Sequence, residues 1–284
     1  MEHLLLPLGV TASVEAESFQ AWISDFERVF VLTGAGCSTA SGIPDYRDAG
    51  GQWKRSPPVT YQAFTGDRLT NARYWARSFI GWPSIGQAQP NAAHLALSRW
   101  QRDGRLSRLV TQNVDGLHQR AGSEGVIDLH GRLDDVICLA CAKRETRAAF
   151  QQRLHDGNAE WAQLTAAIAP DGDADLEDQD FVAFRVPTCE KCGGMLKPDV
   201  VFFGENVPRA RYEAAAAALT ASDAMLVVGS SLMVWSGFRF ARLAHAAGIP
   251  IALLNRGRTR ADDLAALKLD ADCVDVLAEL FPAG

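Results

Sequence analysis

A strand-like apolar run followed by two glycines constrains the fold of this chain more than any other stretch. Residues 29–32 are VFVL, apolar at every position, as in strands of parallel sheets that helices cover on both faces. Gly34 and Gly36 follow and predict a tight turn at which the backbone approaches a ligand closely. Ser38 and Thr39 offer caps for a next helix, whose free N–H groups favour an anion such as pyrophosphate. We therefore expect an α/β fold organised around a phosphate-binding turn.

The glycine turn alone is compatible with an ordinary strand-to-helix connection as well as with a dinucleotide site. A dinucleotide fingerprint has the form G-x-G-x-x-G, and Thr39 stands where its third glycine belongs. The residues beyond the turn favour a function, because Pro44 stops a helix and leaves Asp45, Tyr46 and Arg47 on a loop. Ionisable groups on a loop beside a phosphate turn are typical of a ligand site.

Two further predicted strands end in polar residues. Residues 106–110 predict a strand that runs directly into TQNVDGLH, and residues 126–129 predict another that ends at His130. An open α/β sheet places its ligand site at the carboxyl ends of its strands, and a histidine there fits the role of general base. The alternatives are a polar loop that turns at Asp115-Gly116 and a histidine with a structural role. The other polar side chains in this position are Gln112, Asn113, Asp115 and His118.

The spacing of four cysteines predicts a metal site. Cys138 and Cys141 form one C-x-x-C pair, and Cys189 and Cys192 form a second pair. Such pairs build tetrahedral four-thiolate zinc sites, which are usually structural because no coordination position stays open. The alternatives are a redox dithiol and an iron–sulfur cluster. The acidic run at residues 171–180, between the pairs, is interpreted as a solvated loop. The remaining cysteines, Cys37 and Cys273, are expected to be buried thiols.

Composition and charge exclude several function classes. The formal net charge of -6 argues against nucleic acid as the main partner. The N-terminal stretch has no Lys or Arg before Arg28, unlike a signal or transit peptide. Arg239 and Arg242 interrupt the most apolar later run, residues 224–255, which argues against a membrane span. We expect a cytoplasmic monomer that binds neither nucleic acid nor a membrane.

Periodicity and turn residues predict the other elements. Gly229-Ser230-Ser231 is interpreted as a second phosphate or ribose turn, after a strand at residues 224–228. The further elements are a helix within residues 12–28, a mobile loop over residues 48–64, a helix at 69–79 that Gly81-Trp82-Pro83 ends, a helix that begins near 90, a strand at 196–205, a helix at 209–221, a helix to about 247, a strand at 249–254 and a last short strand that ends at 272–275.

Several motifs occur together in the order typical of one family. They are GAGCSTASGIPDYR, TQNVDGLH, LHG, the two C-x-x-C pairs, LKPDVVFFGE, GSSLMV and LNRG. With them the chain resembles the sirtuins, which are NAD-dependent protein lysine deacylases. The segments GIPDYR, RYWAR, GWP and VVFFGE resemble the class II branch and, within it, the mitochondrial fourth human member. Residues 233–236, MVWS, depart from the proline-containing continuation that the family usually has.

The resemblance implies a fold and a division into parts. It implies a Rossmann-like parallel-sheet domain formed by residues 1–47, 88–136 and 196–284. A smaller domain would combine a helical module with the cofactor loop, residues 48–87, and a zinc-binding module, residues 137–195. NAD, consumed as a co-substrate, and an acyl-lysine peptide would meet in the cleft between the two domains, and one zinc ion would be structural.

The resemblance also assigns roles residue by residue. His130 matches the catalytic base, and Asn113 and Asp115 match catalytic positions of the nicotinamide and ribose pocket. The residues that match NAD-binding positions are Gly34, Ala35, Gly36, Ser38, Thr39, Asp45, Tyr46, Arg47, Trp53, Gln112, Asn113, Asp115, His130, Gly229, Ser230, Ser231, Asn255, Arg256, Gly257 and Cys273. The residues that match substrate-binding positions are Val201, Phe202, Gly204 and Glu205, with Tyr74 and Arg77 resembling a carboxylate clamp.

The implied reaction removes acyl groups from protein lysines and yields nicotinamide, O-acyl-ADP-ribose and free lysine. Tyr74 and Arg77 predict that acidic or bulky acyl groups are removed better than acetyl, because a guanidinium holds a carboxylate through two hydrogen bonds. Protein mono-ADP-ribosyl transfer is the alternative that uses the same NAD site. An oxidoreductase leaves the cysteines and His130 unexplained, and a zinc-ribbon binding module leaves the polar strand ends unexplained.

Overall fold

The computed structural model describes residues 14–54, 58–164, 174, 176 and 179–282. Its strands are β1 Val29–Thr33, β2 Leu106–Thr111, β3 Ile127–Asp128, β4 Gly131–Cys138, β5 Arg144–Thr146, β6 Leu196–Val200, β7 Ala224–Val228, β8 Ile251–Leu254 and β9 Leu267–Leu269. Its helices are α1 Val14–Ser24, α2 Tyr61–Gly66, α3 Arg68–Gln87, α4 Ala92–Arg102, α5 Leu117–Arg120, α6 Arg147–Gly157, α7 Arg209–Thr220, α8 Trp235–Ala246 and α9 Cys273–Leu280. Short 3-10 helices lie at Ala35–Cys37, Thr39–Ser41, Ala159–Gln163, Phe181–Ala183 and Asp262–Leu264.

A parallel sheet of six strands forms the larger part of the molecule. Its order is β3-β2-β1-β7-β8-β9, and every neighbouring pair is parallel. The chain leaves β1 toward β2 and β3 on one side, and it returns to β1's other side with β7. The direction of strand order therefore reverses at β1, which is where an open α/β sheet forms a ligand crevice. This arrangement confirms the predicted Rossmann-like fold.

Helices cover both faces of this sheet. Val29 and Val31 of β1 contact a core that includes Phe19 of α1 and Trp100 of α4. On the other face, Phe30 of β1 packs within the core to which α7 and α8 contribute. Because side chains alternate between the two faces of a strand, a strand that is apolar at every position is buried on both.

A second unit lies beside the sheet. Strands β5, β4 and β6 form an antiparallel sheet in that order. Helices α2, α3 and α6 pack with it around an aromatic core, in which the rings of Trp75 and Phe150 lie 4.6 Å apart and those of Phe64 and Phe202 lie 5.0 Å apart. The predicted helical segment and the predicted metal segment therefore share one hydrophobic core.

Helix α3 does not end at Gly81-Trp82-Pro83, so that prediction is wrong. The helix continues to Gln87 with Pro83 inside it. A proline in a helix removes one backbone donor and leaves the carbonyl four residues earlier without its helical partner. Here the side chain of Gln151, on α6, donates from Nε2 to the carbonyl of Phe79 at 2.8 Å. A tertiary contact thus replaces the hydrogen bond that the proline removes.

Other element boundaries also differ from the predictions. The single capped helix expected after Gly36 is replaced by two 3-10 helices, Ala35–Cys37 and Thr39–Ser41, without side-chain caps. The strand predicted at residues 196–205 ends at Val200. The last strand is Leu267–Leu269, and Cys273 begins helix α9 instead of following a strand.

Some predictions fall outside the described residues. These are the charge pattern of the N-terminal stretch up to residue 13, residues 55–57 of the predicted mobile loop, and most of the acidic run at 171–180. Within the described part of the chain, no helix has both the length and the apolar character needed to cross a bilayer.

Candidate active site

A cavity of about 870 Å³ opens at the carboxyl ends of β1, β2 and β7, between the large sheet and the second unit. It is lined by nearly all of the side chains and turns that the sequence predicted as cofactor or substrate sites. Two of the predicted residues, Arg77 and Gly257, are not among its lining residues. The structure thus brings together residues that are separated by more than two hundred positions in the chain.

Two glycine turns pack against each other at the floor of this cavity. The N–H groups of Gly34 and Gly36 donate to the carbonyls of Val228 and Gly229 at 3.0 and 2.8 Å. A Cβ atom on Gly34 would lie 2.6 Å from Cβ of Ser230. A Cβ atom on Gly229, where φ is +58°, would lie 2.4 Å from the nitrogen of Cys37. Glycine is therefore required at these positions by contact between the turns, in addition to any ligand.

A buried network joins the polar strand ends. The hydroxyl of Ser38 donates to Asp115 at 2.8 Å, so Ser38 serves this network and not a helix cap. Asn113 donates from Nδ2 to Ser38 and to the carbonyl of Gly34, both at 3.0 Å. Gln112 donates from Nε2 to Ser230 at 2.8 Å. Burial raises the pKa of Asp115, while the hydrogen bonds from the Leu117 backbone and Ser38 lower it.

His130 is held at both ring nitrogens. Its Nδ1 lies 2.8 Å from the backbone carbonyl of Gln112, and a carbonyl only accepts, so Nδ1 carries the proton. Nε2 lies 2.7 Å from the hydroxyl of Ser236 and, in the neutral ring, accepts from it. Burial lowers the pKa of His130, and the charges of Arg239 and Arg211 lower it further against the opposing effect of the Gln112 carbonyl. The ring is therefore a neutral base at neutral pH, with Nε2 as its basic atom.

Ser236 and Arg239 are site residues that the sequence reasoning missed. Both line the cavity and lie three residues apart at the start of α8. The signal for Ser236 was present in the departure of residues 233–236 from the family pattern, whereas Arg239 lies outside that stretch. A helix that begins just after the turn at Gly229 presents residues i and i+3 on one face.

The loop after the first turn is anchored by aromatic and cationic contacts. The guanidinium carbon of Arg47 lies 3.8 Å from the centre of a Trp53 ring, and Nη1 of Arg47 donates to the carbonyl of Gly51 at 2.8 Å. Trp53 in turn contacts Phe203 edge to face at 5.6 Å and Tyr46 at 6.3 Å. Burial lowers the pKa of Arg47. Asp45 forms an ion pair with Lys54 across the same loop.

The segment predicted to bind substrate is shaped by a buried ion pair. Glu205 accepts from Nζ of Lys197 at 3.0 Å and from the backbone N–H of Phe202 at 2.9 Å. The side chain of Lys197 is only 5% exposed, so the pair fixes the turn that follows β6. Val201 donates from its backbone N–H to the carbonyl of His130 at 2.7 Å. Val201, Phe202 and Gly204 thereby line the cavity beside the histidine.

The far end of the cavity contains the other predicted cofactor residues. Arg256 lies 3.3 Å from the carboxylate of Asp272, and Cys273 lies 3.6 Å from the carbonyl of Gly36. Asn255 and Ser231 also line this end. Gly257 does not line the cavity. It packs against the backbone of Ala49, where a Cβ atom on Gly257 would be 2.4 Å from the carbonyl oxygen.

Tyr74 and Arg77 are placed differently from each other. Tyr74 lines the cavity, and its ring lies 5.2 Å from that of Phe202. Arg77 donates from Nε to the carbonyl of Ala174 at 2.8 Å, and the N–H of Ala174 donates to the carbonyl of Arg77 at 2.9 Å. This geometry joins Arg77 to the segment between the cysteine pairs.

The four predicted metal ligands converge at the end of the second unit. Their Sγ atoms all lie within 4.8 Å of one another, with 3.5 Å between Cys138 and Cys192 and 3.7 Å between Cys141 and Cys189. Zinc–sulfur bonds of about 2.3 Å in a tetrahedron place the sulfurs about 3.8 Å apart, so the donor set fits one zinc ion. Backbone N–H groups, that of Cys141 first, lower the pKa of Cys138 to about 6 and favour its thiolate.

Another group of metal-capable side chains, Cys37, His94 and His118, lies buried beneath the first turn. Burial lowers the pKa of His94 to about 4 and that of His118 well below its ordinary value. Cys37 is fully buried, and the hydrogen bond with Cys273 raises its pKa. Both cysteines are buried thiols, as predicted.

Comparison with known proteins places this geometry in a family. The Sir2 family model matches residues 34–236. An NAD-dependent protein deacetylase of Bordetella pertussis is 59% identical over 268 residues, which cover 94% of this chain and 98% of that relative. One from Xanthomonas axonopodis pv. citri is 61% identical over 263 residues, covering 93% of this chain and 90% of that relative.

A solved structure agrees with these matches. A Sir2 structure with a p53 peptide and NAD+ has a TM-score of 0.76 at 30% identity, covering 93% of this chain and 96% of that one. The family prediction is confirmed, whereas class II and the likeness to the mitochondrial fourth human member stay predictions. With the motifs, the fold and the identity all in agreement, the chain belongs to the Sir2 family.

Proposed function

We propose that this chain is an NAD-dependent protein lysine deacylase. The observation that carries the proposal is His130, which lines the cavity and which the Gln112 carbonyl holds as a neutral base with Nε2 beside Ser236. The relatives that are about 60% identical bear the name NAD-dependent protein deacetylase, which supports removal of acetyl groups first. The proposed reaction consumes one water molecule, which frees the lysine, and its products are nicotinamide, O-acyl-ADP-ribose and free lysine.

Different residues of the cavity would bind NAD and transfer the proton. When bound, NAD supplies a ribose carbon from which nicotinamide departs as the acyl oxygen attacks. The turns at Gly34 and Gly229 would hold its phosphates and riboses, and Gln112, Asn113 and Asp115 would enclose the nicotinamide half. Nε2 of His130 would take the proton of a ribose hydroxyl. Holding the reacting atoms together replaces the need for a strong nucleophile.

Ser236 would assist this base. Its hydroxyl lies 2.7 Å from Nε2, the position from which a ribose hydroxyl must give up its proton. We propose that Ser236 is a positioning residue that keeps the His130 ring oriented before the co-substrate binds. A proline, such as the family's usual continuation contains in this stretch, has no such donor.

The zinc ion would be structural. Cys138, Cys141, Cys189 and Cys192 fit it as four thiolate ligands, which leaves no open position for a substrate. It would hold β4 and β6 together where the antiparallel sheet ends.

Several finer predictions are kept as proposals. The motifs GIPDYR, RYWAR and VVFFGE support class II membership. The sheet order supports the division into residues 1–47, 88–136 and 196–284 for the NAD-binding domain, with 48–87 and 137–195 as modules. A cytoplasmic monomer and a preference for acidic acyl groups rest on the sequence. Mono-ADP-ribosyl transfer would use the same NAD site, and the names of the relatives support deacylation instead.

The experiment follows nicotinamide release and acyl-ADP-ribose formation by mass spectrometry with a panel of acyl-lysine peptides. His130→Ala should still bind NAD yet lose about 10²–10⁴-fold in turnover, the usual contribution of general-base catalysis. His245→Ala, an exposed histidine near the end of α8, is the matched control. Undiminished deacylation by His130→Ala, or wild-type protein that releases no acyl-ADP-ribose from any peptide, would contradict the proposal.

A further inference from the structure

A cation on the first turns of α8 faces the cavity next to the proposed base. Arg239 lies one helical turn after Ser236, whose hydroxyl contacts His130, and both Ser236 and Arg239 line the cavity. The charge of Arg239 is close enough to His130 to lower the pKa of that histidine. The guanidinium is therefore a neighbour of the reacting groups.

The guanidinium of Arg239 is held in place by aromatic rings. Its central carbon lies 3.8 Å from the ring centre of Tyr212 on α7 and 5.5 Å from that of Phe240. Stacking on an aromatic face restricts a long side chain that would otherwise sample many rotamers. The position of the charge is thus set before any ligand arrives.

Part of this held cation has no partner. Nε and Nη2 of Arg239 are inaccessible to solvent and donate to no hydrogen-bond acceptor among the residues that the structure describes. Within the same residues, no carboxylate lies within ion-pair distance of it, whereas Arg211, the other cation that affects His130, lies 3.8 Å from Asp199. Burial lowers the pKa of Arg239. A cation that is held at the wall of a cavity and that no carboxylate neutralises favours an anionic ligand.

We propose that Arg239 is a binding site for a carboxylate of the acylated substrate. A guanidinium pairs with a carboxylate through two parallel hydrogen bonds, and burial makes this pairing stronger than at an open surface. The carboxylate has two sources, the acyl group itself or an acidic side chain beside the modified lysine. The inference rests on the proposed deacylase function. It differs from the Tyr74 and Arg77 clamp, because Arg77 does not line the cavity and bonds to Ala174.

The test compares three peptides of otherwise identical sequence. One carries acetyl-lysine with neutral neighbours, one carries succinyl-lysine with the same neighbours, and one carries acetyl-lysine next to a glutamate. The measured quantity is the ratio of kcat/KM on each acidic peptide to that on the neutral one. We expect this ratio to exceed one for wild type on at least one acidic peptide, and to fall about tenfold or more in Arg239→Met.

The matched control is Arg242→Met. Arg242 is an exposed arginine about one helical turn after Arg239, and it is not among the residues that line the cavity. The control removes the same charge from the same helix, so its ratios should stay within about twofold of wild type, as expected for a screened surface charge. The peptide whose ratio falls in Arg239→Met identifies the source of the carboxylate.

Three outcomes would overturn the proposal. Wild-type enzyme that treats the three peptides equally overturns it without any variant, even if Arg239→Met does not fold. Equal losses of the ratio in Arg239→Met and Arg242→Met would show a long-range charge effect. Loss of the succinyl preference in Arg77→Met alone, with Arg239→Met unchanged, would assign the carboxylate to Arg77. Activity that is absent on all peptides would instead contradict the proposed function itself.

Discussion

The two walls of the cavity are built on different physical principles. The wall at the ends of β1, β2 and β7 is held by backbone contacts between glycine turns and by a buried hydrogen-bond network. The opposite wall belongs to a small antiparallel sheet whose far end carries four cysteines that converge on one point. The first wall is specified by residue shape and hydrogen bonding, whereas the second combines an aromatic core with the proposed zinc site. Each can therefore be broken in a way that leaves the other intact.

The largest effect is expected from removing a metal ligand. Cys192→Ser should lose the zinc ion, of which wild type should hold about one per chain, and the small sheet should unfold locally because such sites supply folding free energy. Metal analysis and hydrogen exchange over β5 and α6 measure this, with protection in β1 retained. Cys273→Ala, which removes a thiol outside the cluster, should keep its zinc. A Cys192→Ser protein with full zinc would refute the assignment.

Crowding the glycine turns should damage the other wall. Gly229→Ala combines a positive φ with a Cβ atom 2.4 Å from the nitrogen of Cys37, so it should cost about 3 kcal/mol or more of unfolding free energy and weaken NAD binding. Gly42→Ala has a similar φ of +82° but no atom within 4 Å, and should cost only about 1 kcal/mol. Urea unfolding and NAD titration measure both. Equal costs would show that the contact between the turns is unimportant.

Acid should destabilise the region beneath the first turn through its buried histidines. The pKa of His94 is about 4 in the folded chain, against an ordinary 6.5. Between pH 6.5 and 4, His94 therefore binds a proton in the unfolded chain but not in the folded chain. The contribution of this residue to the free energy of unfolding is fully present above pH 6.5 and is lost as the pH falls toward 4. The expected loss is on the order of 3 kcal/mol.

The comparison of His94→Gln with wild type isolates this effect from acid release of zinc. Urea unfolding at pH 7, 5.5 and 4 should show a flatter pH dependence in the variant, although its stability at pH 7 is lower because Gln does not reproduce the contacts with Asn91. Parallel curves for the two proteins would remove His94 as the cause. His118, whose pKa is lowered in the same direction, should account for part of the remaining slope.

The smallest effect is expected from Ser236. Ser236→Ala removes one hydrogen bond to Nε2 of His130, so deacylation should fall about two- to tenfold, with NAD affinity changing less. Ser236→Thr keeps the hydroxyl and should recover most of the rate. Steady-state kinetics and NAD titration check this. Turnover of Ser236→Ala equal to wild type would exclude a positioning role.

Sequence reasoning located the first wall well and the second less well. The apolar strands and their polar ends predicted β1, β2 and β7 and the residues around His130, because both signals are local in the chain. It also identified the four cysteines from spacing alone. It missed that Gly34 and Gly36 are required by the turn at Gly229, since a contact between residues two hundred positions apart leaves no local pattern. It missed Arg239 for the same reason, because the absence of a partner is a tertiary property.

The predictions of helix ends and caps were wrong where a side chain distant in the sequence changed the local hydrogen bonding. Pro83 predicts a helix end because it removes a backbone donor. The structure keeps the helix because Gln151 donates to the carbonyl of Phe79. Ser38 likewise predicts a cap, yet its hydroxyl donates to Asp115.

The proline inside α3 has a practical consequence for protein engineering. The carbonyl it exposes is bonded by a residue of α6, Arg147 of α6 donates to the carbonyl of Ser78, and Trp75 donates to the carbonyl of Leu196. Each of these bonds links the segment before residue 88 to the segment around the cysteines. Deleting only one of the two segments would leave the other without its hydrogen-bond partners. If the cysteine segment were deleted, the carbonyls of Phe79 and Ser78 in α3 would lose their donors and Trp75 would be exposed. We therefore expect the segment before residue 88 and the segment around the cysteines to be removed or transplanted successfully only as a pair.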